Sequence, residues 1–208
     1  SIAAAVGVAE SAGIAGSASV QVISTDTQAY LEGAAGGTPT TVNAAGAVTL
    51  AATGDFKTTM IAGSVGASSS VGIGASNTTL VHDDTVLAFV GEEDAVTAGG
   101  TGLSISANSS EDILSIAAGI GAAGDVGVAG SAAVNVLSET TSAFVGRSAT
   151  IVADNGAATG TPGILVSARD DTSVISIAGS LAASGTAAVG IGADVGNDSQ
   201  VRRGVQEQ

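Results

Sequence analysis

The sequence has no cysteine and no tryptophan, and only three phenylalanines, one tyrosine and two prolines in 208 residues. Without cysteine, a disulfide scaffold and a thiolate zinc site are excluded. Basic residues are also scarce: five Lys and Arg against 19 Asp and Glu, a formal charge of −14. Nucleic-acid binding needs cationic contacts to phosphate and aromatic stacking, and neither is available. The same charge disfavours anionic lipid surfaces. So few bulky side chains cannot fill a large conventional core. Disorder is a poor alternative, because charged residues make up 12% of the chain and mean hydropathy is +0.48. Small residues are what is plentiful: 41 Ala and 31 Gly exceed a third of the chain.

Three stretches, 1–24, 113–137 and 174–195, are apolar and long enough to suggest membrane helices. Each is broken by an acid, Glu10, Asp125 or Asp194, and none carries interfacial anchors. Their period is two rather than 3.6. From Val126 the larger residues fall on Val126, Val128, Ala132, Val134 and Val136, alternating with Gly127, Ala129, Ser131, Ala133 and Asn135. That alternation predicts strands. No basic leader opens the chain, which begins inside a repeat, so we read it as a segment of a longer protein.

The repeat is the strongest signal. Ile2, Ile61, Ile116 and Ile177 anchor four units, each with a second bulky residue four positions on: Val6, Val65, Ile120 and Leu181. Twelve positions after the anchors stand Ile14, Ile73, Val128 and Val189. Twenty-eight after them stand Tyr30, Phe89 and Phe144, and eleven before three of them stand Leu50, Ile105 and Val166. Length varies only between the aromatic and the next short strand, where Gly36, Gly37, Pro39, Gly99, Gly100, Gly102, Gly156, Gly160, Pro162 and Gly163 cluster. A fixed frame with one variable segment is a stacked scaffold with a tolerant loop. The second unit has five candidate strands: 60–67, 71–81, 85–90, 94–98 and 102–107.

We therefore expect an all-β fold, a right-handed parallel β-solenoid (β-helix) with repeats of about 57 residues and roughly three coils each. The units are approximately 1–56, 57–112, 113–171 and an incomplete 172–208, in one continuous array. Ten or eleven coils rising ~4.8 Å each would form a rod ~50 Å long. Ala, Gly, Ser and Val would face the narrow lumen, and stacked Val and Ile ladders would supply the core. The longest run, 126–136, is expected to turn a corner near Gly130. At the end of the fourth unit Val201, Arg202, Arg203 and Gly204 stand where a strand is expected, and Val205 replaces the aromatic, so the array frays or ends there. Tandem small β-sandwich modules are the alternative, although a 57-residue sandwich with this composition is small.

The strings VTLAAT, SIAAGIGAAGDVGVAGSAAVNV and TSAFVG resemble the strand repeats of giant bacterial surface proteins, the leukotoxin-like filamentous adhesins and, more distantly, filamentous haemagglutinin. The resemblance spans essentially the whole chain. It implies an exported, extended right-handed β-solenoid stalk in a much longer polypeptide, acting in adhesion or cell-surface contact. It carries no catalytic residues.

The residues themselves also point away from an enzyme. His82, the single histidine, has no equivalent in the other units and reads as an exposed turn residue. Carboxylates recur at two places in the frame: Asp26, Asp83, Asp84 and Glu139 before the aromatic, and Asp55, Glu111, Asp112, Asp170 and Asp171 before the anchor. A glycosidase would need a facing pair and aromatic platforms for sugar rings. Calcium could be held by such acids. With three coils per unit, however, equivalent acids would lie ~14 Å apart, beyond the ~8 Å Debye length, and no ion would be needed. Asp194, Asn197 and Asp198 read likewise as solvated turn residues. No catalytic, cofactor-binding or metal site is assigned, and no cofactor is expected.

The expected role is a structural stalk segment of an extracellular bacterial adhesin. Its partners would be neighbouring repeats of the same chain, like chains in a filament, or another cell surface. The alternative is a self-associating subunit of a filament, sheath or surface layer, and a carbohydrate-active solenoid comes third. A stalk should have polar outer faces, and a filament subunit an apolar lateral patch. Tyr30, Phe56, Phe89 and Phe144 are the residues whose placement bears most on that choice.

Overall fold

The computed structural model describes residues 1–33, 38–153 and 163–203, with side chains described through residue 196. Among them there is no helix; every regular element is a strand. In chain order these are β1 (Ile2–Ala9), β2 (Ala12–Leu31), β3 (Thr41–Ala44), β4 (Val48–Ser68), β5 (Val71–Val90), β6 (Ala95–Ala98), β7 (Gly102–Ala123), β8 (Val126–Val145), β9 (Thr150–Ala153), β10 (Gly163–Ser184) and β11 (Ala187–Arg203). They form three parallel sheets: a first long sheet β1-β4-β7-β10, a second long sheet β11-β8-β5-β2 and a short sheet β3-β6-β9. The arrangement is consistent with a β-solenoid.

The repeat frame sets the register. Ile61 pairs with Ile2 and Ile116, and Ile177 pairs with Ile116. Ile14, Ile73, Val128 and Val189 stack likewise, as do Tyr30, Phe89 and Phe144. The coil is longer than expected. Partners in adjacent strands are one whole repeat apart, so each repeat is one coil of two long strands and one short strand, not three coils. Four layers separated by ~4.8 Å span ~14 Å between the outermost strands, not ~50 Å. The expected breaks inside a unit are absent because the polar residues that suggested turns, around 82–84 and 108–112, lie within β5 and β7. β8 runs through Gly130 without a corner, and β11 continues through Val201, Arg202 and Arg203. Gly36, Gly37, Gly156, Gly160, Pro162, Gly204 and Val205 lie outside the described residues. The apolar stretches read against membrane helices are strands, and no described helix is long and apolar enough to cross a membrane.

The two long strands of a coil are joined by two residues: Glu10-Ser11, Ser69-Ser70, Gly124-Asp125 or Gly185-Thr186. These connections are arches rather than hairpins. The strands face each other with their side chains, while backbone bonds run to the next coil, as in Val126 N–H to the Ser70 carbonyl and Ala187 N–H to the Asp125 carbonyl. Near the arch the long sheets close on each other. A methyl group added to Gly66 would sit 2.0 Å from the Ile73 carbonyl oxygen, and one on Gly121 2.0 Å from that of Val128. Only glycine permits this backbone approach.

Away from the arch the sheets separate, and the short sheet closes the wide end. There Ala52, Val86, Ala88, Val90, Val96, Ala98, Leu103, Ile105 and Ala107 form a buried cluster, flanked by Leu31, Leu50, Val145 and Val166. A second cluster of Met60, Leu80, Ile113 and Leu137, with Phe56 against it, lies nearer the arch.

Candidate functional site

Alternation along the strands decides which of the acids are internal. In β5 the even-numbered residues face inward, from Gly72 through Leu80 to Val90, so Asp84 is buried and Asp83 is exposed. In β7 and β8 the odd-numbered residues do so, which buries Glu111 and Glu139 and leaves Asp112 outside. In β10, Asp170 pairs with Ser109 of β7 and shares its inward position. The two acidic places of the repeat frame thus meet across the lumen. Asp84 and Glu139 come from the second long sheet, and Glu111 and Asp170 from the first. Asp84 pairs directly with Glu139, one strand spacing (~4.8 Å) away, and Glu111 pairs with Thr172, two residues from Asp170, so successive units are one strand spacing apart and not the ~14 Å expected from three coils per unit.

Oxygens of Glu111, Glu139 and Asp170 lie within 4.8 Å of one another. Glu111 and Glu139 are each 1% exposed and Asp170 4%. Two hydroxyls sit among them. Thr172 Oγ1 is 2.8 Å from Glu139 Oε2, 3.2 Å from Glu111 Oε2 and 3.2 Å from Asp170 Oδ1. Ser109 Oγ is 2.8 Å from Asp84 Oδ2 and 2.5 Å from Glu111 Oε1. Thr25 Oγ1 donates to Asp84 Oδ1. A hydroxyl has one proton, so Thr172 and Ser109 together cannot donate to all five of these carboxylate oxygens at once. Asp170 Oδ2 is buried and accepts no hydrogen bond. Burial pushes the Glu111 carboxyl above the usual carboxylate range; hydrogen bonds from Ser109 and Thr172 oppose this, while the charges of Asp170 and Asp84 add to it. The ion pairs among the described residues, Lys57–Asp112 at 2.5 Å and Arg169–Asp171 at 3.0 Å, are both on the outside.

His82 is not the exposed turn residue expected; it is 1% exposed and stacks on Phe56 with ring centroids 3.9 Å apart. Neither ring nitrogen makes a hydrogen bond of good geometry, although the Ile23 backbone lies within reach of the ring. Burial lowers its pKa, and the charges of Asp84 and Asp83 and the backbone at Ile23 oppose that shift. Its place in the ladder explains the missing repeat equivalent: it aligns with Ile23 and Leu137, so the lumen takes an apolar residue in the neighbouring coils.

The outer faces carry the other surprise. Near the arch, the anchor ladder Ile2, Ile61, Ile116 and Ile177 and the ladder Val6, Val65, Ile120 and Leu181 occupy the outward positions of the first long sheet. Between these ridges runs a trough of Ala4, Gly63, Ala118 and Gly179. The second long sheet presents Ile14, Ile73, Val128 and Val189 outward, and further along Val22, Val81 and Val136. The expected Val and Ile core is therefore turned out at this end: Ile120, in an inner strand, is 37% exposed, whereas Ile105 at the wide end is 0% exposed. The glycine-lined interior leaves no room for branched side chains. Of the aromatics, Phe56 faces inward. Tyr30, Phe89 and Phe144 form an outer stack with centroids 5.3 and 4.9 Å apart, and Tyr30 is 53% exposed.

Of the remaining acids singled out in the sequence, Asp26 and Asp55 lie on outer or open positions, and Asp26 accepts from Gln28 at 2.8 Å. Asp194 accepts from the Ser176 hydroxyl at 2.7 Å; the side chains of Asn197 and Asp198 are outside the described ones. The carboxylate cluster could have been found by carrying the parity of the strand pattern through the polar segments. Comparison with known proteins finds no matching protein-family model, no matching curated protein and no matching solved structure.

Proposed function

We propose that the chain is a structural, non-enzymatic segment of an extended right-handed β-solenoid rod that associates side by side with like rods through its apolar outer faces. The observation that carries this reading is the outward ladder pair on the first long sheet, Ile2/Ile61/Ile116/Ile177 and Val6/Val65/Ile120/Leu181. Contiguous apolar patches larger than a few hundred Å² on a soluble surface mark association sites, and this ladder pair lengthens with every coil stacked on it. Ridges of branched residues around a trough of Ala and Gly suit interdigitation with a second sheet, the geometry by which stacked sheets pack. The right hand follows the general preference of parallel crossover connections.

The patch also sets a length requirement. Four strands at ~4.8 Å spacing and seven residues at ~3.3 Å each give a face of roughly 400 Å². A stable interface buries about 800 Å² per partner. Four coils should therefore pair weakly, and about twice that number firmly. The parallel edges β1, β2 and β3 at one end and β9, β10 and β11 at the other each have one neighbour in the chain, and further coils would continue the stack there.

The resemblance to strand repeats of giant bacterial surface proteins supports an extracellular, cell-surface location and a part in adhesion. Within that setting, a self-associating filament, sheath or surface-layer segment accounts for the apolar sides better than a solitary stalk does. Electron microscopy of the native parent assembly tests the reading. Regular bundles or lattices of laterally packed rods are expected; isolated single-chain rods with a distinct tip would overturn lateral association in favour of the adhesin stalk.

A further inference from the structure

We propose that the lumen holds one calcium ion between Glu111, Glu139 and Asp170, with the Thr172 hydroxyl as a further oxygen donor. This inference is independent of lateral association. The donor set is oxygen only, the chemistry preferred by hard divalent cations. Three carboxylates from three strands converge within 4.8 Å. Oxygens no farther apart than this can share one ion at the ~2.4 Å Ca²⁺–O distance, and Ca²⁺ accepts an irregular cage of protein oxygens, whereas Mg²⁺ demands near-octahedral geometry and keeps several waters.

A second observation points to a ligand. Asp170 is 4% exposed and its Oδ2 accepts no hydrogen bond, although its carboxylate belongs to the converging group. A buried carboxylate oxygen left without a partner is costly, and a cation removes that cost. Proton supply does not: Thr172 faces oxygens of all three acids with a single proton to give. An ion here would tie β7 and β8 of one coil to β10 of the next, clamping the coils from within.

Two other solutions to the charge problem exist and are separable by experiment. The acids could share protons, or a basic side chain could enter. The register sets Arg202 opposite Thr141 in β8, two residues from the position paired with Glu139.

The test uses the full chain, stripped with chelator, in native mass spectrometry and in thermal melts at pH 7 with calcium chloride, magnesium chloride or neither. One calcium retained per chain is expected, with the Tm raised by several degrees by millimolar calcium and less by magnesium. Asp170→Asn combined with Glu111→Gln should fold without calcium and lose both signals. Asp83→Asn combined with Asp112→Asn, on the outside, should keep both. If the double lumen variant fails to fold, the mass and Tm responses of the wild-type chain still decide. No retained ion and no calcium effect on Tm would overturn the proposal. So would an equal response in the lumen variant, or a wild-type chain that is stabilised only by acidification. A calcium-independent loss of stability in Arg202→Gln, with no ion bound by the wild type, would assign the neutralising charge to that arginine instead.

Discussion

The arch end and the wide end of each coil are made from the same two sheets but with opposite polarity. At the wide end Leu103, Ile105, Val86 and Val90 face inward, and Ser104, Ser106, Thr49 and Thr53 face outward. At the arch end Gly66, Gly72, Gly119 and Gly121 face inward, and Ile61, Val65, Ile116 and Ile120 face outward. Sheet separation explains the difference. Where the short sheet holds the long sheets apart, branched side chains fill the gap and gain the usual ~25 cal/mol per Å² of apolar area removed from water. Where the sheets meet backbone to backbone, nothing larger than Gly, Ala or Ser fits. Buried hydroxyls of Ser64, Ser76 and Ser131 there have no hydrogen-bond partner, so the interior of that end contributes less to stability. Its large apolar residues have only the outer faces to occupy. One end thus carries its own apolar core, and the other turns its large apolar residues to the surface.

The largest mutational effect is expected at the arch. Gly121→Val should cost more than ~3 kcal/mol, because the new side chain would enter the Val128 carbonyl; urea unfolding would show it as loss of a folded baseline. Gly63→Ala, on the outer face with nothing within 4 Å of the added methyl, should be neutral or stabilising by up to ~1 kcal/mol. Equal effects at the two glycines would refute the close approach.

At the wide end Ile105→Ala should cost ~2–5 kcal/mol by opening a cavity in a fully buried cluster. Ile116→Ala, its counterpart on the outer face at the other end, should cost under ~1 kcal/mol in dilute chain. Chemical denaturation of the pair measures the inversion directly, and a reversed order would contradict it.

Between the two ends His82 should make stability depend on pH. Its folded pKa lies below the ordinary histidine value of 6.5, so its contribution is present above pH ~6.5 and is lost as pH falls through the folded value, with a slope of at most ~1.4 kcal/mol per unit. Phe56, Asp83, Asp84 and the Ile23 backbone are the groups about it. Replacing it by the residue its neighbour in the next coil already uses, as His82→Leu, should remove that part of the slope, read from unfolding midpoints between pH 5 and 8. An unchanged slope would place the titrating group elsewhere.

Much of this was legible in the residues, and what was not has identifiable causes. The stacking register followed from Ile61, Ile116, Phe89 and Ile105, because identical spacings put like residues in one ladder. Coil length did not follow. Polar runs such as His82-Asp83-Asp84 and Asn108-Ser109-Ser110 are written like turns, and only the pairings show them as strand interior. Parity did not follow either. Alternation names two faces without saying which is inside, and the usual preference for burying Val and Ile fails where backbones touch. The carboxylate cluster was hidden by both errors together: a short coil would have held the acids apart, and a turn would have left them in water.

Lateral association requires that the outward ladders bind like ladders. Sedimentation velocity of the chain from one to several hundred micromolar tests it, with an Ile61→Thr/Ile116→Thr/Ile120→Thr variant alongside, since its open strand edges are unchanged. Concentration-dependent association of the wild-type chain is expected, with a monomeric variant of the same fold. A wild-type chain that stays monomeric over that range, or a variant that associates equally well, would contradict it.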